Sequence, residues 1–435
     1  MSKRIKYLGS KIMFNFGVNF TALYSIVSNF SIRGGGALLE MFFVILVANK
    51  LGLENSSKYF VAYSVFLVMV AFSRGGADFK VVRDISRSCK VDNQYEIRTT
   101  ILESFFKVIV YSLMVFLLAR FLDSLGFFDY FIGKDSARIL NILIWAIMPV
   151  ALILLSSEIF RGYGRIQFSQ LIYSWVILGP TILWVCLQET FTAIDLVRFY
   201  VASSYCVFLI VLFFVLRRIN FKKKGDFRLN ILMLRFDFFF LIRIAILISA
   251  GLPIWIINFF GDESVGLFIV ANRFAMGVTL ALVAIEASAG PKFARMYGND
   301  TINMLCKSLR DTQYMAFMLS VIVGVVLVFF SSLVAEYLSI ESEKNFTIIS
   351  GILIIGYIVN GYFAPIGTFF QMTFNEKLAL YAYLKATFFG FFILVFLLTV
   401  FGAVGLAVGC VLVFFIRGLE LNKMYIKKFE VKKHY

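Results

Sequence analysis

The sequence predicts an all-α polytopic membrane protein of about twelve transmembrane helices, arranged as two six-helix parallel repeats. Three observations carry this. Of 435 residues, 60% are apolar and 16% charged, where a soluble domain is about half apolar and a quarter charged. The apolar residues fall in runs of about 20, the length that crosses a hydrocarbon core about 30 Å thick. Finally, the basic residues, 42 against 26 acidic for a net charge of +16, are sorted between alternate loops.

The runs lie at 30–49, 59–77, 101–122, 139–158, 168–188 and 194–216, and then at 238–260, 265–286, 312–334, 346–372, 378–400 and 402–420. The stretch before them, 1–29, begins with Lys3, Arg4, Lys6 and Lys11 and is interrupted by Asn15, Asn19 and Asn29. It lacks the clean apolar core and cleavage site of a signal peptide and reads as a retained amphipathic lead-in. With the N-terminus inside, the inner segments hold 31 Lys and Arg and the outer loops seven, beside eleven acids. That bias puts both termini in the cytoplasm.

Gly52, Glu54, Tyr59, Val61, Ala62 and Arg83 align without gaps with Gly261, Glu263, Phe268, Val270, Ala271 and Lys292. One residue further out of step, Ile142-Leu143-Ile144 aligns with Ile352-Leu353-Ile354, and Phe160 with Phe370. Six spans separate the copies, an even number, so the halves share one orientation in the membrane. The expected units are therefore an N-terminal bundle, 1–216, a basic cytoplasmic linker, 217–237, and a C-terminal bundle, 238–435.

Composition excludes several chemistries. The only histidine is His434, and the five cysteines stand singly without a CxxC pair, so no metal site is expected. The run Gly34-Gly35-Gly36 lacks the Lys-Ser/Thr of a nucleotide-binding loop. No cofactor and no nucleic-acid partner is expected, and the short loops leave no room for a soluble catalytic domain.

Topology leaves four basic residues unexplained: Arg33, Arg243, Arg273 and Lys385. Charge at mid-bilayer is costly, about 2.5–3.5 kcal/mol on insertion scales, and what persists usually faces a polar interior. Arg33 is close enough to the inner surface to snorkel, as a bent helix could let Arg243 and Lys385 do. Arg273 is too deep for that, with Asn272 beside it as a second polar group. Glu40, two turns beyond Arg33, cannot snorkel; it is either a structural partner of Arg33 or the coupling site for H+ or Na+. Four cations and one deep anion imply an electropositive cavity that would hold a diphosphate. Tyr357 and Tyr362, near Asn360, are candidates to stack on sugars. All five prolines lie in or at the ends of spans, where they either kink helices for packing or bend them around a cavity.

Beyond these readings, LVANKLGLENSSKYF, GADFKVVRDIS, IFRGYGR, GDESVGLFIVANRFA and GPKFARMYG resemble the O-antigen flippases of the Wzx type, in the multidrug/oligosaccharidyl-lipid/polysaccharide exporter superfamily. That resemblance implies a V-shaped alternating-access transporter, not an enzyme, in a bacterial inner membrane. It would flip undecaprenyl-diphosphate-linked O-antigen repeat units to the periplasmic leaflet, driven by membrane potential or an ion gradient. Arg33 and Arg273 would bind the diphosphate, with polysaccharide polymerase and chain-length proteins as partners. The alternatives are a drug/cation antiporter of the same superfamily and a membrane-embedded O-antigen polymerase or ligase. An antiporter needs cavity carboxylates, of which only Glu40 is apparent; a polymerase or ligase needs a large outer loop.

Overall fold

A computed structural model describes residues 20–90, 93–217, 238–260, 265–297, 302–338 and 343–430. The N-terminal lead-in before residue 20, the linker from 218 to 237, and Gly261 and Glu263 of the repeat lie outside the described residues. Every regular element among the described residues is a helix, and each of the twelve apolar runs lies on helix.

In chain order the elements are α1 (Phe20–Arg74), α2 (Ala77–Lys90), α3 (Gln94–Ser124), α4 (Phe127–Ile132), α5 (Lys134–Leu143) and α6 (Ile147–Gly162). They continue with α7 (Ile166–Gln170), α8 (Ile177–Leu187), α9 (Ala193–Leu216), α10 (Phe238–Phe259) and α11 (Val265–Ala275). The last four are α12 (Thr279–Met296), α13 (Ile302–Tyr337), α14 (Glu343–Met372) and α15 (Glu376–Tyr425). Eight helices among the described residues are long and apolar enough to span alone, and the bent α7/α8 pair makes a ninth.

Two rods are too long for one crossing. α1 has 55 residues and α15 has 50, or about 75–80 Å at 1.5 Å per residue. Each folds back at a glycine that leaves helical geometry: Gly52 at φ 76°, ψ 162°, and Gly402 at φ 61°, ψ −148°. Positive φ is nearly free only for glycine, so these residues are where one span turns into the next. Three residues beyond the second turn, a Cβ on Gly405 would stand 2.1 Å from the Leu397 carbonyl oxygen and 2.6 Å from Phe401 Cβ. The arms of α15 can close only on a bare Cα. Gly405→Ala is therefore expected to destabilise the fold by about 1–3 kcal/mol, the range for overpacking, read as a lower yield of monodisperse protein in detergent.

Outward faces carry large apolar side chains at helical spacing, such as Leu113, Leu117 and Phe121 on α3, Met318, Ile322 and Phe329 on α13, and Phe388, Phe392 and Phe396 on α15. Patches of this extent would drive a soluble protein to aggregate; facing lipid, they are its solvent-matched surface. The chain is a multi-pass membrane protein.

The buried side chains gather by chain half. One core runs from Phe43 to Val215 and takes only Ile254 and Ile269 from the second half. Two others draw on residues 242–429, with Ala48 and Val82 from the first half. Repeat-related positions are buried alike: Tyr59 and Phe268, Val61 and Val270, Ala62 and Ala271, Phe160 and Phe370 are all at most 2% exposed. We call these halves the N- and C-terminal lobes. Helices α1, α10, α11 and α12 form the seam between them. At one end of the seam Trp255 donates its ring N–H to Ser64 Oγ at 3.0 Å and lies 6.1 Å from Phe131. Toward the other end Arg83 meets Glu376 at 3.6 Å.

Candidate functional site

Three chambers lie along the seam. The first, about 140 Å³, is enclosed largely by the N-terminal lobe: Glu40, Tyr59, Tyr63, Tyr173 and Tyr200, with Phe43, Phe60 and several aliphatic residues completing its wall. Arg273 reaches it from the C-terminal lobe. Tyr59 and Tyr63, one turn apart on α1, stack at 5.7 Å and 17°. Tyr200 on α9 meets Tyr63 edge-on at 6.0 Å and 85°. The result is a tight aromatic wall around a single carboxylate, since i and i+4 share a helix face and ring pairs favour stacked or edge-to-face contact.

The second chamber, about 290 Å³, is polar and drawn from both lobes. Its acids are Asp78, Glu158 and Glu286, and its cations are Arg161, Arg243 and Arg417. Asp78 binds Arg74 at 2.9 Å, with both side chains at most 4% exposed, and lies 3.9 Å from Arg243. Arg161 pairs with Glu158 at 3.1 Å and reaches across the seam to the Glu286 backbone carbonyl at 3.0 Å. The Glu286 carboxylate accepts from Thr368 Oγ1 at 2.8 Å. Arg417 donates to Asn360 Oδ1 at 2.6 Å, with its guanidinium over the rings of Tyr383 and Phe414.

The third chamber, about 190 Å³, belongs to the C-terminal lobe and is lined by Asn272, Tyr357, Asn360 and Arg417 among apolar residues. Tyr357 donates its hydroxyl to Asn272 Oδ1 at 2.9 Å. Tyr173 is common to the first and second chambers, and Asn360 and Arg417 to the second and third. The three form a row.

The residues expected from sequence are dispersed. Arg273 lines the first chamber and its neighbour Asn272 the third, because successive residues on a helix point about 100° apart. Glu40 faces the chamber that Arg273 enters. Arg243 lines the second chamber beside Asp78. Lys385 lines none of the three; it joins Glu420 at 2.5 Å and clips together the two arms of α15. The Arg33 side chain lies outside the described residues. Tyr357 is engaged with Asn272, and Tyr362 packs against Tyr314, Phe317 and Phe363.

Asp78, Glu158, Arg161, Glu286 and Arg417 stand at or near the ends of apolar runs in the sequence. Among the described residues the chambers hold four acids, Glu40, Asp78, Glu158 and Glu286, and four arginines, Arg161, Arg243, Arg273 and Arg417. The available signal was a carboxylate inside an apolar stretch, as in LLSSEIF and LVAIEAS. Among the described residues no group of His, Cys, Asp and Glu could hold a metal ion.

A family model described as MatE matches residues 239–401. Among solved structures, a MATE transporter in complex with MaL6 is 15% identical, with a TM-score of 0.76, covering 93% of this chain and 96% of that one. The MATE multidrug transporter DinF-BH, in a ligand complex, is 17% identical, with a TM-score of 0.76 over 92% and 94%. An inward-facing multidrug resistance MATE family transporter of the MOP superfamily is 15% identical, with a TM-score of 0.71 over 94% and 99%. No curated protein matches.

The chain therefore has the fold of the MATE transporters. These findings overturn the resemblance to O-antigen flippases. The family model over residues 239–401 and the structural neighbours are those of MATE transporters, not of the flippases that the loop motifs suggested. Undecaprenyl-diphosphate-linked cargo, and polymerase and chain-length partners, fall with that resemblance.

Proposed function

We propose that the protein is a drug/cation antiporter, extruding lipophilic organic cations in exchange for H+ or Na+. The observation that carries this is the first chamber, where four tyrosines surround the carboxylate of Glu40. A delocalised organic cation is poorly hydrated, so it loses little on leaving water and gains from ring faces, about 2 kcal/mol or more per desolvated cation–π contact. A carboxylate then supplies the charge complement. Among the described residues, the titratable and charged groups lining the chamber with Glu40 are the four tyrosines and Arg273. A proton or sodium ion arriving at Glu40 cancels the charge that retains the substrate, which couples the two movements.

The lobes, expected at 1–216 and 238–435, are the units that would rock about the seam, with 217–237 as their tether. The polar contacts Arg83–Glu376 and Arg161–Glu286 and the aromatic contact at Trp255 would break alternately. The excess of Lys and Arg in alternate loops supports a location in the cytoplasmic membrane with both termini inside.

The test is reconstitution in liposomes with ethidium as probe. An imposed H+ or Na+ gradient is expected to drive ethidium up its own concentration gradient, and an ionophore that dissipates the ion gradient to stop it. Ethidium flux that neither ion gradient alters would overturn the proposal.

A further inference from the structure

Among the described residues, Arg273 is the one group lining the first chamber that comes from the opposite lobe. It lies eight residues into α11, about 12 Å from the helix start, with its Nε buried and without a hydrogen-bond partner and its Nη1 4.0 Å from Met276 Sδ. Tyr63, on the chamber wall, is within electrostatic reach of both Arg273 and Glu40. A guanidinium keeps its charge at any physiological pH. Among the described residues the lining of this small chamber thus holds one carboxylate and one permanent cation, mounted on different lobes. An incoming organic cation meets a carboxylate that already has a counter-charge.

We infer that Arg273 is a tethered counter-cation that competes with the transported cation for Glu40. The inference rests on the cation-exchange reading of the chamber and assigns this arginine the opposite role from holding an anionic cargo. When the C-terminal lobe carries Arg273 toward Glu40 the chamber is neutral without substrate, and the bound cation is displaced. When the lobe withdraws it, the carboxylate loads the next cation. A neutral empty chamber also lets the lobes return without an uncompensated charge in a low-dielectric space, which is costly. Valence selectivity follows. A monocation replaces one guanidinium charge with another, whereas a dication leaves surplus charge against an apolar wall.

The experiment uses the full chain, with tetraphenylphosphonium as monocation and methyl viologen as dication. Equilibrium binding is measured in detergent and turnover in liposomes. Arg273→Gln is expected to bind tetraphenylphosphonium about tenfold more tightly, to lower KM and kcat together, and to acquire methyl viologen binding. Arg273→Lys keeps the charge and is expected to stay near the wild type in all three. Arg273→Met, which keeps an unbranched side chain next to Met276, repeats the comparison if the glutamine variant folds poorly. Unchanged or weaker tetraphenylphosphonium binding in a monodisperse neutral variant overturns the inference, as does a lysine variant that behaves like the glutamine one. Wild-type protein that binds no tetraphenylphosphonium overturns the cation reading itself.

Discussion

Glu40→Gln is expected to abolish gradient-driven accumulation of organic cations. The substitution keeps the size and most of the hydrogen-bonding capacity of the side chain and removes only its charge. Interactions with charged groups contribute about 1.5–3 kcal/mol, so binding should weaken by roughly tenfold to a hundredfold, at 1.4 kcal/mol per decade. The more telling loss is of coupling. A glutamine cannot exchange a proton for a cation, so any residual binding should no longer respond to pH. Equilibrium binding of tetraphenylphosphonium across a pH series measures both effects. Tyr63→Phe keeps the ring face and should leave binding within about twofold, while Tyr63→Leu should cost about 1–2 kcal/mol by loss of the π contact. If Glu40→Gln binds as tightly as the wild type with the same pH profile, the chamber is not where the cation is held.

The second large effect is structural. The Arg74–Asp78 pair is all but sealed from solvent, at 3% and 4% exposure, and removing one member of a buried pair typically costs about 3–5 kcal/mol because the other is left uncompensated. Here the two members are not equivalent. Asp78 also lies near Arg243, so in Arg74→Met the carboxylate retains a cationic neighbour. In Asp78→Leu, Arg74 and Arg243 face each other with no anion between them. Thermal denaturation in detergent should therefore show a larger loss for Asp78→Leu than for Arg74→Met. The Arg74→Met/Asp78→Leu double variant should recover stability relative to Asp78→Leu alone, since an apolar pair of similar volume has no desolvation cost. Equal losses in the two single variants would show that Arg243 does not share Asp78.

The architecture was largely legible because its cause is one-dimensional. A bilayer demands about 20 apolar residues per crossing, and the sequence displays those runs whatever their tertiary contacts. Even the boundary between the last two runs, drawn at 401, falls beside the Gly402 bend. The interior was less legible because its determinants are pairwise. Arg161 looks like a topology signal and Glu158 like a helix end until the fold brings the arginine across the seam to Glu286. The tyrosine chamber was hidden for the same reason. Tyr59, Tyr63, Tyr173 and Tyr200 sit on three separate stretches of chain, and among 20 Tyr and 52 Phe nothing in their spacing marks them out. The resemblance to O-antigen flippases failed at that level, because the loop motifs carry no information about which side chains meet in the interior.

The fold-back at Gly402 has a consequence for how the chain is threaded into the membrane. Between Thr387 and Phe415 no residue is charged, so an insertion machinery that reads hydropathy meets one uninterrupted apolar stretch. What makes it two crossings is a single backbone torsion outside the reach of ordinary residues. If that torsion were lost and the rod ran straight, the count of crossings would change from even to odd. Everything after it, including Arg417 and the basic tail, would then be delivered to the opposite compartment. The side on which the last crossing ends thus depends on Gly402, and the second chamber depends on it for one of its three described cations.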